Sequence, residues 1–159
     1  MSADIFSQVR DFHVRFNLDY EGPPRFLDDD AFAFRRRMAL EKLHEHLTAH
    51  QEGDLTGALA GITDLVYVLL GTAYQQGFDI EGALRRVHLA NMRKVRVVDA
   101  LASRRGSVRD VVKPPGWVPP QLADLADQTP CEAEGCKHGR RGPVGVECVR
   151  INCPGRTRR

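Results

Sequence analysis

Hydrophobic positions in the first hundred residues recur at helical spacing. Ile5, Val9, Phe12 and Phe16 follow steps of four, three and four, which marks one face of an α-helix. Gly22, Pro23 and Pro24 close that segment, since none of them continues a helix well. A second helix is predicted from the Asp28, Asp29, Asp30 cluster to about Gln51, because carboxylates suit the free N–H groups and the positive dipole end of a helix start. Asp54 caps a third helix that reaches Gln76, with Gly77 where helices commonly stop. Asp79 caps a fourth, with Ile80, Leu84, Val87, Val98 and Leu101 at helical spacing. No stretch alternates with a period of two. The reading is an all-α body resembling a four-helix bundle.

Beyond Arg104 the texture changes. The segment KPPGWVPP, residues 113–120, carries four prolines and one glycine and predicts an extended polyproline-like strap with Trp117 packed on something. Leu122 to Ala126 can form one helical turn, and a cysteine-bearing tail follows. The division is therefore a helical domain with its strap over residues 1–122 and a tail over 123–159. Charge divides the same way. The formal net charge of +2 combines a surplus of +4 in residues 130–159 with −2 in the rest.

At 159 residues, 42% hydrophobic and 28% charged, the chain has the make-up of a soluble globular protein rather than a disordered one, and it is too short for a multidomain enzyme. The apolar run Leu55 to Tyr74 is interrupted by Asp64 and three glycines, so no membrane span is expected. The start of the chain shows no basic segment followed by an apolar block, and the expected location is cytoplasmic.

The second helix holds the first chemical signal. Phe34 and Met38 begin a stripe that continues at steps of three and four into Glu41 and Glu45, so an apolar face turns acidic. Leu40, Leu43 and Leu47 form an adjacent apolar row that hinders rotating both glutamates into water. In the third helix Leu65, Val66, Val68, Leu69 and Leu70 leave Asp64 almost no polar side, which predicts a buried helix and a carboxylate in need of a cation. An arginine, Arg37 or Arg93, is one candidate partner and a metal ion is the other. Gly57 and Gly61 allow a backbone or ligand to come close beside Asp64. On the fourth helix Asn91 and Lys94 interrupt the apolar stripe. Hard carboxylate oxygens beside amide and ammonium donors are what Mg²⁺ or Mn²⁺ with a phosphate substrate requires. The plainer alternative is a set of boundary carboxylates paired with Arg or Lys.

The tail reads C-x4-C-x11-C-x4-C through Cys131, Cys136, Cys148 and Cys153. Four thiolates match a structural Zn²⁺ site, and His138 can replace one; free thiols and disulfides are the alternatives. The arginines around them can meet nucleic acid or simply solubilise the terminus. His46 and His50, four apart, can in principle hold a metal but are expected to be an exposed helical pair, His13 and His88 are expected to be packing or boundary residues, and His44 can assist the carboxylate site. No nucleophile arrangement and no glycine-rich phosphate loop is present.

The stretches DFHVRFNLDYEGPPRFL, RRRMALEKLHEHL, GITDLVYVLLGTAYQQGFDIEGALRRVHLANMRKV and KPPGWVPPQL, in this order over about residues 5 to 122, resemble the MazG-like nucleotide pyrophosphohydrolases related to phosphoribosyl-ATP pyrophosphatase. The resemblance implies an all-α MazG-type domain that forms a homodimer or higher oligomer. It also implies Mg²⁺- or Mn²⁺-dependent hydrolysis of a nucleoside triphosphate to monophosphate and pyrophosphate. Such families hold metal with Glu-Glu-x-x-Glu on one helix and Glu-x-x-Asp on the next. Here the first reads Glu41, Lys42, Leu43, His44, Glu45 and the second Gly61, Ile62, Thr63, Asp64, so Lys42 and Gly61 stand in place of carboxylates. The implied roles are Glu45 and Asp64 as Mg²⁺ ligands and Glu41 as ligand or base toward the attacking water. Asn91, Lys94 and Arg37 would lie on the substrate side. Lys42 either takes a metal's place and holds phosphate, or points away and leaves one metal among Glu41, Glu45 and Asp64. The alternative function is a nucleotide- or nucleic-acid-binding module on the same bundle, altered at Lys42 and Gly61, with a zinc-binding tail.

Overall fold

A computed structural model describes residues 4–126, and the four cysteines and His138 lie outside them. Four helices dominate: α1 (Ile5–Arg15), α2 (Asp29–Glu52), α3 (Leu55–Gln75) and α4 (Ile80–Asn91). Each starts on an aspartate. The carboxylates of Asp4, Asp28, Asp54 and Asp79 accept hydrogen bonds from the first free backbone N–H groups of the helix that follows. Gly53 ends α2 at φ 77°, a left-handed conformation that glycine adopts without a Cβ clash, and the chain reverses directly into α3.

The α2–α3 hairpin is the spine of the molecule, and small residues set its spacing. A Cβ on Gly61 would stand 2.7 Å from the His46 backbone nitrogen and 2.9 Å from its Cα, so the two backbones touch there. Above and below this contact the helices are tied by polar bonds. His46 Nδ1 lies 2.8 Å from the Ala58 carbonyl, and Arg35 donates to Thr72 Oγ1 at 2.9 Å and to the Val68 carbonyl. The helix α1 also packs on α3, where His13 is buried against Tyr74 and comes close to Gly71 beside Arg35, and Phe12 meets Tyr67 edge-on.

Several sequence expectations change in the fold. The buried side of α1 is Val9, which belongs to the apolar stripe, and His13, one position beyond Phe12, whereas Ile5, Phe12 and Phe16 stay exposed. The fourth helix stops at Asn91, because the chain turns there with Lys94 N–H donating to the Asn91 carbonyl at 3.0 Å. Val98 and Leu101 are 91% and 98% exposed, so their helical spacing is coincidental. Two short strands, β1 (Val95–Arg96) and β2 (Val111–Val112), pair antiparallel with Val95 opposite Val112, where no strand was expected.

The proline segment is a clasp rather than one continuous polyproline strand. A turn joins Pro114 to Trp117 around Gly116 at φ 75°. Trp117 Nε1 then donates to the Ala90 carbonyl at 2.8 Å, and Arg93 to the Val118 carbonyl at 3.1 Å, which fastens the strap to the end of α4. Arg86 grips Asp124 through both carboxylate oxygens and so holds the 3₁₀ turn Ala123–Leu125, whose Leu125 is buried.

The helix α3 is not covered on all sides. Val68, Leu70 and Ala73 are buried, whereas Leu59, Val66 and Leu69 lie open. By length and composition alone its 21 residues, with a mean hydropathy of 1.5 over 18 of them, would suffice to cross a bilayer despite Asp64 and the glycines. Its glycine contact with α2 and its bonds to Arg35 and His46 make it one arm of the hairpin.

Candidate functional site

The residues of α2 that face α3 run Arg35, Met38, Lys42, His46, Ala49, at steps of three and four. Each is partly or fully buried, and Arg35, His46 and Ala49 make direct contact across the interface. The inward stripe therefore passes through Lys42, not through Glu41 and Glu45. The side chain of Lys42 is 24% exposed, against 64% for Glu41 and 46% for Glu45. Asp64 on α3 is 57% exposed and sits at the rim of the interface rather than in the interior. A lysine fits such a row because its four methylenes pack while its ammonium reaches the edge.

All three carboxylates meet at that ammonium. Lys42 Nζ is 2.9 and 3.0 Å from the two oxygens of Glu45, 3.7 Å from Glu41 and 3.8 Å from Asp64. The hydrogen bond to Glu45, joined by the charges of Glu45, Glu41 and Asp64, outweighs partial loss of water and raises the lysine pKa above its ordinary value. Exposed at the rim, Asp64 does not depend on a cation as a buried carboxylate would; the cation it meets is Lys42, not Arg37 or Arg93. Arg37 instead lies 5.9 Å from the Phe34 ring, and Arg93 serves the strap.

The fold thus brings together Glu41, Lys42, Glu45 and Asp64. Among the described residues no hydrogen bond or ion pair links Arg37, Asn91 or Lys94 to them; Asn91 and Lys94 belong to the turn that ends α4. His44 is exposed beside the cluster without contact to it, and His50 is exposed as expected, while His46 belongs to the hairpin interface. A cavity of about 310 Å³ opens elsewhere, between α1, the loop at Tyr20 and Glu21, and the start of α4, and includes none of the four residues.

The family resemblance implies a divalent ion among these carboxylates. Mg²⁺ takes oxygen ligands at about 2.0–2.1 Å in a near-octahedral shell. The oxygens here surround Nζ at hydrogen-bond and looser ion-pair distances, and among the described residues no three His, Cys, Asp or Glu side chains are grouped to hold a metal. As arranged, the residues fit an ammonium and not a resident Mg²⁺.

Two polar contacts were not legible beforehand. Arg35 is a half-buried guanidinium held by a hydroxyl and a carbonyl, and burial lowers its pKa. Next to it His13 is 1% exposed, with Nδ1 on the Val9 carbonyl at 2.7 Å and Nε2 without a partner. The arginine stands one residue off the predicted stripe, and only the true phase of α2 reveals it.

No curated protein sequence matches the chain at a significant level. The family model for phosphoribosyl-ATP pyrophosphohydrolase matches residues 9–91, a span that contains α2, α3 and the whole carboxylate cluster. That span exceeds half of the 159 residues, and with its all-α architecture the chain belongs to the phosphoribosyl-ATP pyrophosphohydrolase family, whose general chemistry is the hydrolysis of nucleotide phosphoanhydrides.

Proposed function

We propose that the chain hydrolyses a nucleoside triphosphate to the monophosphate and pyrophosphate at Glu41, Lys42, Glu45 and Asp64, taking the substrate as its Mg²⁺ or Mn²⁺ complex. The observation that carries this reading is the convergence of three carboxylates from two adjacent helices on one cation position. Three carboxylates and one ammonium leave a local charge of about −2, which repels a bare polyphosphate and favours one already partly neutralised by a divalent ion.

Glu41 is the most exposed of the three and is held only at 3.7 Å, which leaves its carboxylate able to take a proton from the attacking water. Water then bonds to the α-phosphorus, the bond to the α–β bridging oxygen breaks, and the electron pair leaves on pyrophosphate. Lys42 carries three N–H donors, two of them engaged with Glu45. The third can meet a phosphate oxygen and offset the charge that grows on the leaving group.

Pyrophosphate release from a panel of ribo- and deoxyribonucleoside triphosphates, with Mg²⁺ or Mn²⁺, tests the reading and ranks substrates. Glu45→Ala is expected to lower the rate by about 100-fold or more. Absence of release from every member of the panel would overturn it. A second reading has its own observation, the presence of Lys42 Nζ at the cation position: nucleotide is bound without turnover. Binding with no release, unchanged by Glu45→Ala, selects that reading.

Two further expectations belong here. The exposed apolar residues Leu40, Leu43 and Leu47 of α2 with Leu59, Val66 and Leu69 of α3 are proposed to face a second copy of the chain. Cys131, Cys136, Cys148 and Cys153 are proposed to hold one structural Zn²⁺; elemental analysis before and after Cys131→Ser and Cys148→Ser checks it, and protein purified without chelator but free of zinc removes it.

A further inference from the structure

The oxygen donors around Lys42 are those a divalent cation prefers, yet the position between them holds the protein's own ammonium. Its stem lies in the packed row of α2 between Met38 and His46, with the side chain 24% exposed, so the ammonium is delivered by the helix interface and is not a loose surface group. For a metal to enter, the ammonium has to give up both oxygens of Glu45 and remain nearby as a like charge. We propose that Lys42 is a built-in counterion that keeps divalent metal out of the free protein, so that metal reaches this centre only within a nucleotide complex. The nucleotide half of this inference rests on the proposed function above, whereas the exclusion of metal from the free protein does not.

The test is titration of the full-length protein with Mn²⁺ in the absence of nucleotide, followed by the electron paramagnetic resonance signal of the free ion. Mn²⁺ prefers oxygen over thiolate ligands, which separates this site from the cysteine tail. The wild-type protein and Glu45→Gln are expected to take up the same background amount. Lys42→Met and, more strongly, Lys42→Glu are expected to gain one Mn²⁺ bound about tenfold or more tighter than any wild-type site, and adding Glu45→Gln to either should remove it. A wild-type site that disappears in Glu45→Gln overturns the proposal. So does a Lys42→Met protein with unchanged helical circular dichroism and no gain. Should Lys42→Glu fail to fold, the comparison of wild type with Glu45→Gln still decides. Since nucleotide is absent, this result is independent of whether pyrophosphate release succeeds or fails.

Discussion

A lysine in the packed row of α2 shows how much of this molecule turns on single positions. Helical spacing alone places Glu41 and Glu45 on the continuation of the Phe34 and Met38 stripe, and its apolar neighbours on α3 single out Asp64. The phase was off by one residue, because a sequence pattern scores lysine as polar although its methylenes pack like a leucine's. His13, expected as a packing or boundary residue, is a packing one: it is 1% exposed, against Tyr74. Burial first, and the neighbouring Arg35 charge second, lower the His13 pKa, while its bond to Val9 partly resists. A depressed histidine pKa means that the unfolded chain binds the proton more readily, so the stabilising contribution is complete above the ordinary value near 6.5 and fades as pH falls below it. Urea denaturation from pH 7.5 down to 5, from about one unit above that value to about one and a half below it, is expected to give a falling midpoint. In His13→Phe, which keeps a ring against Tyr74, that part of the slope is expected to vanish. Gly61 offers the opposite kind of prediction. Alanine gains about 1 kcal/mol of helix propensity but drives its Cβ into the His46 backbone, which cannot rotate aside; overpacking of this sort costs about 1–3 kcal/mol. Gly61→Ala should therefore lower stability in a denaturant titration, and a stability gain would refute the close contact.

At the scale of elements, the starts of the last three helices and the ends of α2 and α3 were legible to within a residue or two, and the end of α4 was not. Aspartates at 28, 54 and 79 announce their helices because an unpaired N–H at a helix start needs a local acceptor, and each one bonds as expected. The end of α4 carried no such mark. Asn91 to Lys94 close the helix by a local turn, and Trp117 of the strap bonds to the Ala90 carbonyl there, a long-range contact that no local pattern encodes. The strap itself was legible from its prolines, and its fastening points were not. Replacing Trp117 by phenylalanine keeps the ring but removes the bond to Ala90, an expected loss of about 1 kcal/mol. Arg86→Met should release the turn at Asp124 as well. Hydrogen exchange would then rise in residues 111–125 while the α2–α3 hairpin keeps its protection; equal loosening of both would show that the clasp and the hairpin are one cooperative unit.

For the whole molecule, fold class followed from four helical patterns and the absence of a long alternating stretch, and the family match spans that same region. What stayed hidden was how little of the apolar surface a single chain covers. With Leu59 66% exposed and Val66 and Leu69 about half open, a lone protomer leaves a hydrophobic face along its two longest helices. Sedimentation equilibrium is expected to report a dimer or larger species, and Leu59→Glu together with Val66→Glu to shift it toward monomer; a wild-type monomer at micromolar concentration would contradict this. The touching backbones at Gly61 and His46 impose an order on any redesign of the centre. A glutamate at position 42 needs only a new side chain at an interface edge, but one at position 61 has no space until the two longest helices part. Any path toward the full acidic complement of the family has to begin on α2, since on α3 a change of chemistry also demands a change of architecture.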